Sequence, residues 1–310
     1  MSMLDTMMTP TADTVVAPVR PMAARLADYR ELAKPRIAAM ALLTVSIGYF
    51  LADPAGDVVA TCLHTLVGVG LVAAASGTLN QFLERTSDAK MIRTANRPLP
   101  AGRLTPNEAL AFGFGAGGIG TLYLAVFVNG PTAVLSAVTL LLYVCAYTPL
   151  KRMTSFCTVV GAVPGALPPV LGWAAAGGGP PAGPLALFGI LFLWQFPHLF
   201  AIAWLYRRQY ADAGLHMLPR QFPRRGLTGL LSLGTAIALL PVSLLPWYAG
   251  LTGVGYAVAA TILAAGYIFC SAVFFWNESV RTARRLLWSS LIYLPLVLGV
   301  LLFDHLRLHW

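Results

Sequence analysis

Charge is what this sequence has least of. Of its 310 residues only 12 are Asp or Glu, and charged residues of all types make up 11%. Apolar residues make up 57%, and the mean hydropathy is +0.71. No soluble core explains that composition over such a length, so a single integral membrane domain is implied. Cysteine is scarce too. Cys62, Cys145, Cys157 and Cys270 lie scattered in or beside apolar runs, with no pair at metal-ligand spacing, and they read as small core residues. The first 20 residues lack the apolar run of a secretory signal, and Asp5 and Asp13 argue against a mitochondrial transit peptide. They are expected to form a disordered cytoplasmic tail. The stretch 22–32 (MAARLADYREL) is expected to be a short interfacial helix.

What the chain does have is hydrophobic length. Runs near 37–52, 58–83, 107–127, 131–149, 156–176, 184–206, 227–248, 253–275 and 286–303 approach the ~20 apolar residues a spanning helix needs. Nine spans threaded alternately place 20 of the 21 Lys and Arg residues on one side, and only Arg307 falls opposite. Basic residues near span ends stay cytoplasmic. The N-terminus is therefore expected inside and the C-terminus outside, in a bacterial inner membrane. The +9 net charge then reflects topology and anionic headgroups rather than nucleic acid. The expected fold is all-α, nine transmembrane helices around a central cavity opening toward the cytoplasm. Residues 1–30 form the tail and residues 31–306 the nine-helix domain.

Two cytoplasmic loops, roughly 84–106 and 207–226, are long and rich in charge and proline. They stand at corresponding places in the chain, as after an internal duplication, and suggest one shared polar site. In the first, Asn80, Glu84 and Asp88 are spaced i, i+4, i+8 and share a helix face. Three oxygen-bearing side chains at a membrane helix end suit a hard cation such as Mg²⁺, which completes its shell with water and substrate phosphates. Arg93 and Arg97, on a loop stiffened by Pro98 and Pro100, suit the oxygens of a diphosphate. Lys90 and Arg103 read individually as solvated loop cations. Lys151 and Arg152, after Tyr147-Thr148-Pro149, suit a diphosphate, a propionate or simple anchoring to the inner face. His198 lies inside an apolar span, where its plain reading is an interhelical hydrogen bond; His64 reads as structural.

The stretch NQFLERTSDAKMIRTANRPLPAG resembles the first motif of the UbiA-type intramembrane prenyltransferases, N-x-x-x-D/E-x-x-x-D. RTANRPLPAGR, Lys34-Pro35-Arg36, the run 147–173 and the run 192–219 with its WQFPH resemble the heme-farnesylating branch. The resemblance covers roughly residues 30 to 300. It implies a Mg²⁺-dependent transfer of farnesyl from farnesyl diphosphate to heme B, with Asn80, Glu84 and Asp88 as catalytic and metal-binding residues. It also implies a heme contact at His198, Trp194 and Gln195, and onward contact with heme A synthase or oxidase assembly factors. Another acceptor, such as a quinone precursor or chlorophyllide, and a secondary transporter are the alternatives.

The second motif departs from the family. Where an acid is expected before the tyrosine, the chain reads Arg207-Arg208-Gln209-Tyr210. Either Asp212, three residues on, takes the place of that acid at the metal, or Gln209 binds phosphate or water instead.

Overall fold

This computed structural model describes residues 21–179, 181–218 and 226–309. Among them every regular element is helical: α1 (Met22–Leu32), α2 (Pro35–Phe50), α3 (Val58–Asp88), α4 (Pro106–Phe127), α5 (Gly130–Leu150), α6 (Cys157–Ala175), α7 (Ala182–Leu205), α8 (Arg207–Asp212), α9 (Leu227–Tyr248), α10 (Val254–Trp276) and α11 (Val280–His309). The tail expected over residues 1–20 lies outside the described residues, as do Arg220, Arg224 and Arg225.

Eight helices, α3 to α7 and α9 to α11, are long and apolar enough to cross a membrane. The first expected span is the shorter α2, whose 16 residues make about 24 Å at 1.5 Å per residue, less than the ~30 Å hydrocarbon core. Its start is set by Lys34, in the left-handed region at φ 50°, and by Pro35 in the first turn. The last span differs at its start. Ser279 and Thr282 exchange side-chain and backbone hydrogen bonds, so the helix begins at Val280. Arg281, Arg284 and Arg285, which the sequence places in a loop, form its first turns.

Two helices are interrupted where proline demands it. α6 breaks at Leu167 ahead of Pro168 and Pro169. α5 widens into a π turn over Leu142–Tyr147, just before Pro149. Proline cannot donate to the preceding turn and crowds its carbonyl, and the wider turn relieves that contact. Thr148 Oγ1 donates to the Tyr143 carbonyl at 2.8 Å, so that oxygen is satisfied. α2 meets α6 backbone to backbone. A Cβ on Gly48 would stand 1.9 Å from the Pro169 oxygen, and one on Gly172 1.9 Å from the Val45 oxygen. Small residues permit such approach where no hydrophobic force drives helices together.

The spanning helices follow one another around a ring. α3 packs on α4, α4 on α5, α6 on α7, α7 on α9, α9 on α10 and α10 on α11, and α11 closes the circuit against α7 and α2. At one rim His305 Nε2 lies 3.0 Å from Asp53, His305 Nδ1 lies 2.8 Å from the Leu251 carbonyl, and the Gly253 N–H donates to Asp304. The α2–α3 turn, the α9–α10 turn and the end of α11 thus share a side, as alternate threading requires. The opposite rim gathers α1, the loop after α3, the loop after α5, and α8.

Candidate active site

α3 carries its helix without a break through LNQFLERTSD to Asp88, because nothing from Asn80 to Asp88 interrupts the backbone ladder. The i, i+4, i+8 stripe therefore exists as one face, and it is buried: Asn80 is 1% exposed, Glu84 7% and Asp88 1%. A buried carboxylate needs a partner. Each residue of the stripe has a cation against one of its oxygens. Lys34 Nζ donates to Asn80 Oδ1 at 2.6 Å, Lys151 Nζ to Glu84 Oε1 at 2.7 Å, and Arg97 Nη1 to Asp88 Oδ2 at 2.6 Å. The cations come from three separate segments: the start of α2, the loop after α5 and the loop after α3.

The π turn of α5 completes this pocket. Asn80 Nδ2 donates to Thr148 Oγ1 at 3.1 Å. Lys151 Nζ sits 4.3 Å from the centre of the Tyr147 ring, a cation–π contact. Burial lowers the Lys151 ammonium, but Tyr147 and Glu84 outweigh it and hold that group well above the usual lysine range. Lys34 goes the other way. Burial, with Arg97 and Lys151 nearby, pushes it down to about 7. α1 braces the assembly: Arg103 donates to Asp28 and Glu31, and Gln81 Nε2 donates to the Leu32 carbonyl at 2.9 Å. Arg103, a plain loop cation by sequence, is a structural clamp.

The second polar loop meets the first. Arg93 Nη2 lies 3.3 Å from the Tyr210 hydroxyl and packs over the Tyr206 and Tyr210 rings. The His216 N–H donates to the Lys151 carbonyl at 2.8 Å, and Met91 packs with Ala213 and Leu215. Asp212, at the end of α8, is exposed. Gln209 has a buried Oε1 without a hydrogen-bond partner. No three His, Cys, Asp or Glu side chains converge as a metal cage among the described residues, so the carboxylates to weigh are Glu84 and Asp88. Arg152 is not on their face of α3. It donates to the Leu83 carbonyl at 2.8 Å and to Thr86 Oγ1 at 3.3 Å.

His198, Trp194 and Gln195 lie together on α7, each tied to a neighbouring helix. Gln195 Nε2 donates to the Ala162 carbonyl, and Trp194 Nε1 to the Ser290 carbonyl. His198 stacks on Trp194, and its Nδ1 lies 2.8 Å from Ser290 Oγ. The Ser290 hydroxyl donates to the Leu287 carbonyl at 2.6 Å, so it accepts from His198 Nδ1–H and leaves the lone pair on Nε2. Beside α7, the aromatic rings of Phe156, Phe192, Phe196 and Phe200 help to line an apolar chamber of about 680 Å³. His64 pairs with the Tyr123 hydroxyl at 2.7 Å and stacks on Phe127, a packing role.

Sequence reasoning missed Lys34, Tyr147 and Thr148 as site residues. The signal was present in Lys34-Pro35, where proline fixes a helix start and the residue before it cannot be helical.

Residues 41–294 match the family model of the UbiA prenyltransferase family. A protoheme IX farnesyltransferase of Solibacter usitatus (strain Ellin6076) is 44% identical over 286 residues, 89% of this chain and 98% of the relative. One of Opitutus terrae is 40% identical over 288 residues, 92% and 97% of the two chains. Among solved structures, that of a digeranylgeranylglyceryl phosphate synthase superposes with a TM-score of 0.77 at 18% identity, covering 92% of this chain and 99% of the other. A UbiA homolog from Archaeoglobus fulgidus bound to GPP and Mg²⁺ gives a TM-score of 0.56 at 16% identity, covering 88% and 99%. These likenesses show a shared fold, and together with the sequence match they place the protein: the chain belongs to the UbiA prenyltransferase family.

Proposed function

We propose that the chain transfers a farnesyl group from farnesyl diphosphate to a vinyl group of heme B, making heme O. The observation that carries the reading is the stripe of α3, where three buried oxygens meet three cations drawn from separate segments. Supporting it are relatives named protoheme IX farnesyltransferase that match nearly the whole chain.

The donor set fits Mg²⁺. Glu84 and Asp88 offer acceptor-only oxygens one turn apart and Asn80 a third, and Mg²⁺ is held by one or two carboxylates plus substrate phosphates rather than by an all-protein cage. A solved UbiA homolog with Mg²⁺ and a prenyl diphosphate supports the same choice. Bound there, the ion would neutralise charge on the departing diphosphate. Lys151, Arg97 and Arg93 supply the rest of that neutralisation. Each carboxylate–cation pair is ready to exchange partners, the cation turning to phosphate oxygens when the substrate enters. The allylic C1–O bond then breaks with its electron pair leaving on the diphosphate. The vinyl π electrons attack C1, and water adds to the resulting cation beside the porphyrin ring, releasing a proton. Apolar walls, of the kind lining the chamber beside α7, keep water from the farnesyl carbon until then. His198, with its lone pair on Nε2, suits the heme as an iron ligand or a hydrogen-bond acceptor, with Trp194 and Gln195 holding the helix that presents it. The product stays in the bilayer, where a heme A synthase or an oxidase assembly factor would collect it. Purified protein incubated with heme B, farnesyl diphosphate and MgCl₂ should yield a mass equal to heme plus a farnesyl group plus a hydroxyl. Consumption of farnesyl diphosphate only with a different acceptor would overturn the assignment.

The cation-rich rim is the cytoplasmic face in this reading, with the C-terminus outside. A reporter active only outside the cytoplasm should be silent when fused after Arg97 and active after Trp310. Activity at both points would break the shared-face arrangement.

At the second motif, exposure separates the two candidates. Gln209, whose buried unbonded oxygen can accept from a water, is the better placed of the two, and Asp212 faces solvent. Gln209→Ala is expected to lower turnover by up to about tenfold, the worth of one neutral hydrogen bond, and Asp212→Asn by less than about twofold, as for an exposed charge. The reverse order in steady-state assays would return Asp212 to the metal.

A further inference from the structure

The far side of α3 carries a second cationic pocket. Thr86 stands two residues from both Glu84 and Asp88, which at 100° per residue turns it to the opposite side of α3, and Lys90 lies in the turn that follows the helix. There Thr86, Ser87, Lys90, Arg152, Ala213 and Gly214 line a cavity of about 190 Å³. Two of those six side chains are cationic and none is acidic. The Lys90 ammonium has no hydrogen-bond or ion-pair partner among the described residues, and the residue is exposed. Arg152 is fixed by the Leu83 carbonyl and by Thr86 Oγ1. Because the Thr86 hydroxyl accepts from Arg152, its own proton remains to be donated into the cavity.

We propose that this pocket binds a phosphate group. Two positive charges with no carboxylate among the lining residues favour an anion. A guanidinium, an ammonium and a hydroxyl donor suit tetrahedral oxygens. The volume admits a phosphate or diphosphate. The site is separate from the stripe, whose cations Lys34, Arg97 and Lys151 are each engaged with an α3 oxygen. Its place at the membrane end of α3 makes the phosphate of an anionic lipid one source and free inorganic phosphate the other.

Thermal melts of the full chain in detergent distinguish them. Three titrations are run without Mg²⁺: inorganic phosphate, dihexanoyl phosphatidylglycerol and dihexanoyl phosphatidylcholine. A saturable rise in Tm with inorganic phosphate assigns a free anion. A rise with phosphatidylglycerol alone assigns an anionic headgroup, and a rise with both lipids and not phosphate is an acyl-chain effect that overturns the proposal. For either assigned anion Lys90→Gln combined with Thr86→Val should weaken the binding by about tenfold, as loss of a charged donor does. Arg97→Gln should leave it unchanged. A rise abolished by Arg97→Gln and kept in the Lys90/Thr86 variant would put the anion on the stripe and overturn the proposal. So would the absence of any rise with all three probes.

Discussion

Asp88→Asn and Glu84→Gln are each expected to lower turnover by about a thousandfold, since a metal-binding carboxylate supplies several kcal/mol of charge stabilisation. The chain should still insert and fold. Both residues sit at the end of α3, where their partners are only partly enclosed: Arg97 is 23% exposed and Lys151 14%. A cation that loses its partner there can still reach water, unlike one sealed in a core. The two roles of Asp88 are separable by experiment. If Asp88 serves only to hold the loop through Arg97, then Arg97→Gln should cost as much as Asp88→Asn, and added MgCl₂ should not matter to either. In the proposed site the Asp88 variant needs more MgCl₂ to reach its residual turnover. The Arg97 variant keeps the parent's MgCl₂ dependence and shows instead a raised KM for farnesyl diphosphate. Turnover against MgCl₂ concentration, with membrane yield as the folding control, checks this. Near-normal activity of Asp88→Asn with magnesium chelated would end the model.

The stripe was legible because its evidence is local. Asn80, Glu84 and Asp88 lie on one helix, and helical periodicity alone puts them on one face. What joins them to the rest was not legible. The Lys34–Asn80 bond crosses 46 residues, and it depends on a left-handed Lys34 whose side chain turns back under α3. Lys151 and Arg152 are adjacent in sequence and look alike, yet they reach opposite faces of α3, one to Glu84 and the other to Thr86. Neighbours in a loop separate whenever the chain turns between them, and composition carries no record of that turn. The fold shows the same division. Hydrophobic length gave the long helices, whereas the shortness of α2 and the early start of α11 come from Lys34-Pro35 and the Ser279–Thr282 cap. The tautomer of His198 was wholly out of reach, because it is set by Ser290, 92 residues away.

Lys151→Gln is expected to be the second severe variant, with a loss of about 10²–10³-fold in kcat/KM for farnesyl diphosphate, the worth of one preorganised donor to developing negative charge. The lysine sits 2.7 Å from Glu84 and 4.3 Å from the centre of the Tyr147 ring, so it stays charged beside the stripe. Two explanations predict that loss. The residue could act only by neutralising Glu84, or it could turn to the substrate diphosphate as the carboxylate turns to the metal. The Michaelis constant decides between them. If the lysine only neutralises Glu84, Lys151→Gln lowers kcat and leaves KM for farnesyl diphosphate near the parent value. The exchange of partners predicts a raised KM for farnesyl diphosphate at saturating MgCl₂. Lys151→Arg should fail too, since a planar fork does not reproduce a point charge stacked over Tyr147 in that narrow slot. An unchanged KM in Lys151→Gln would reduce Lys151 to a counter-ion and leave Arg93 and Arg97 as the cations named for the diphosphate.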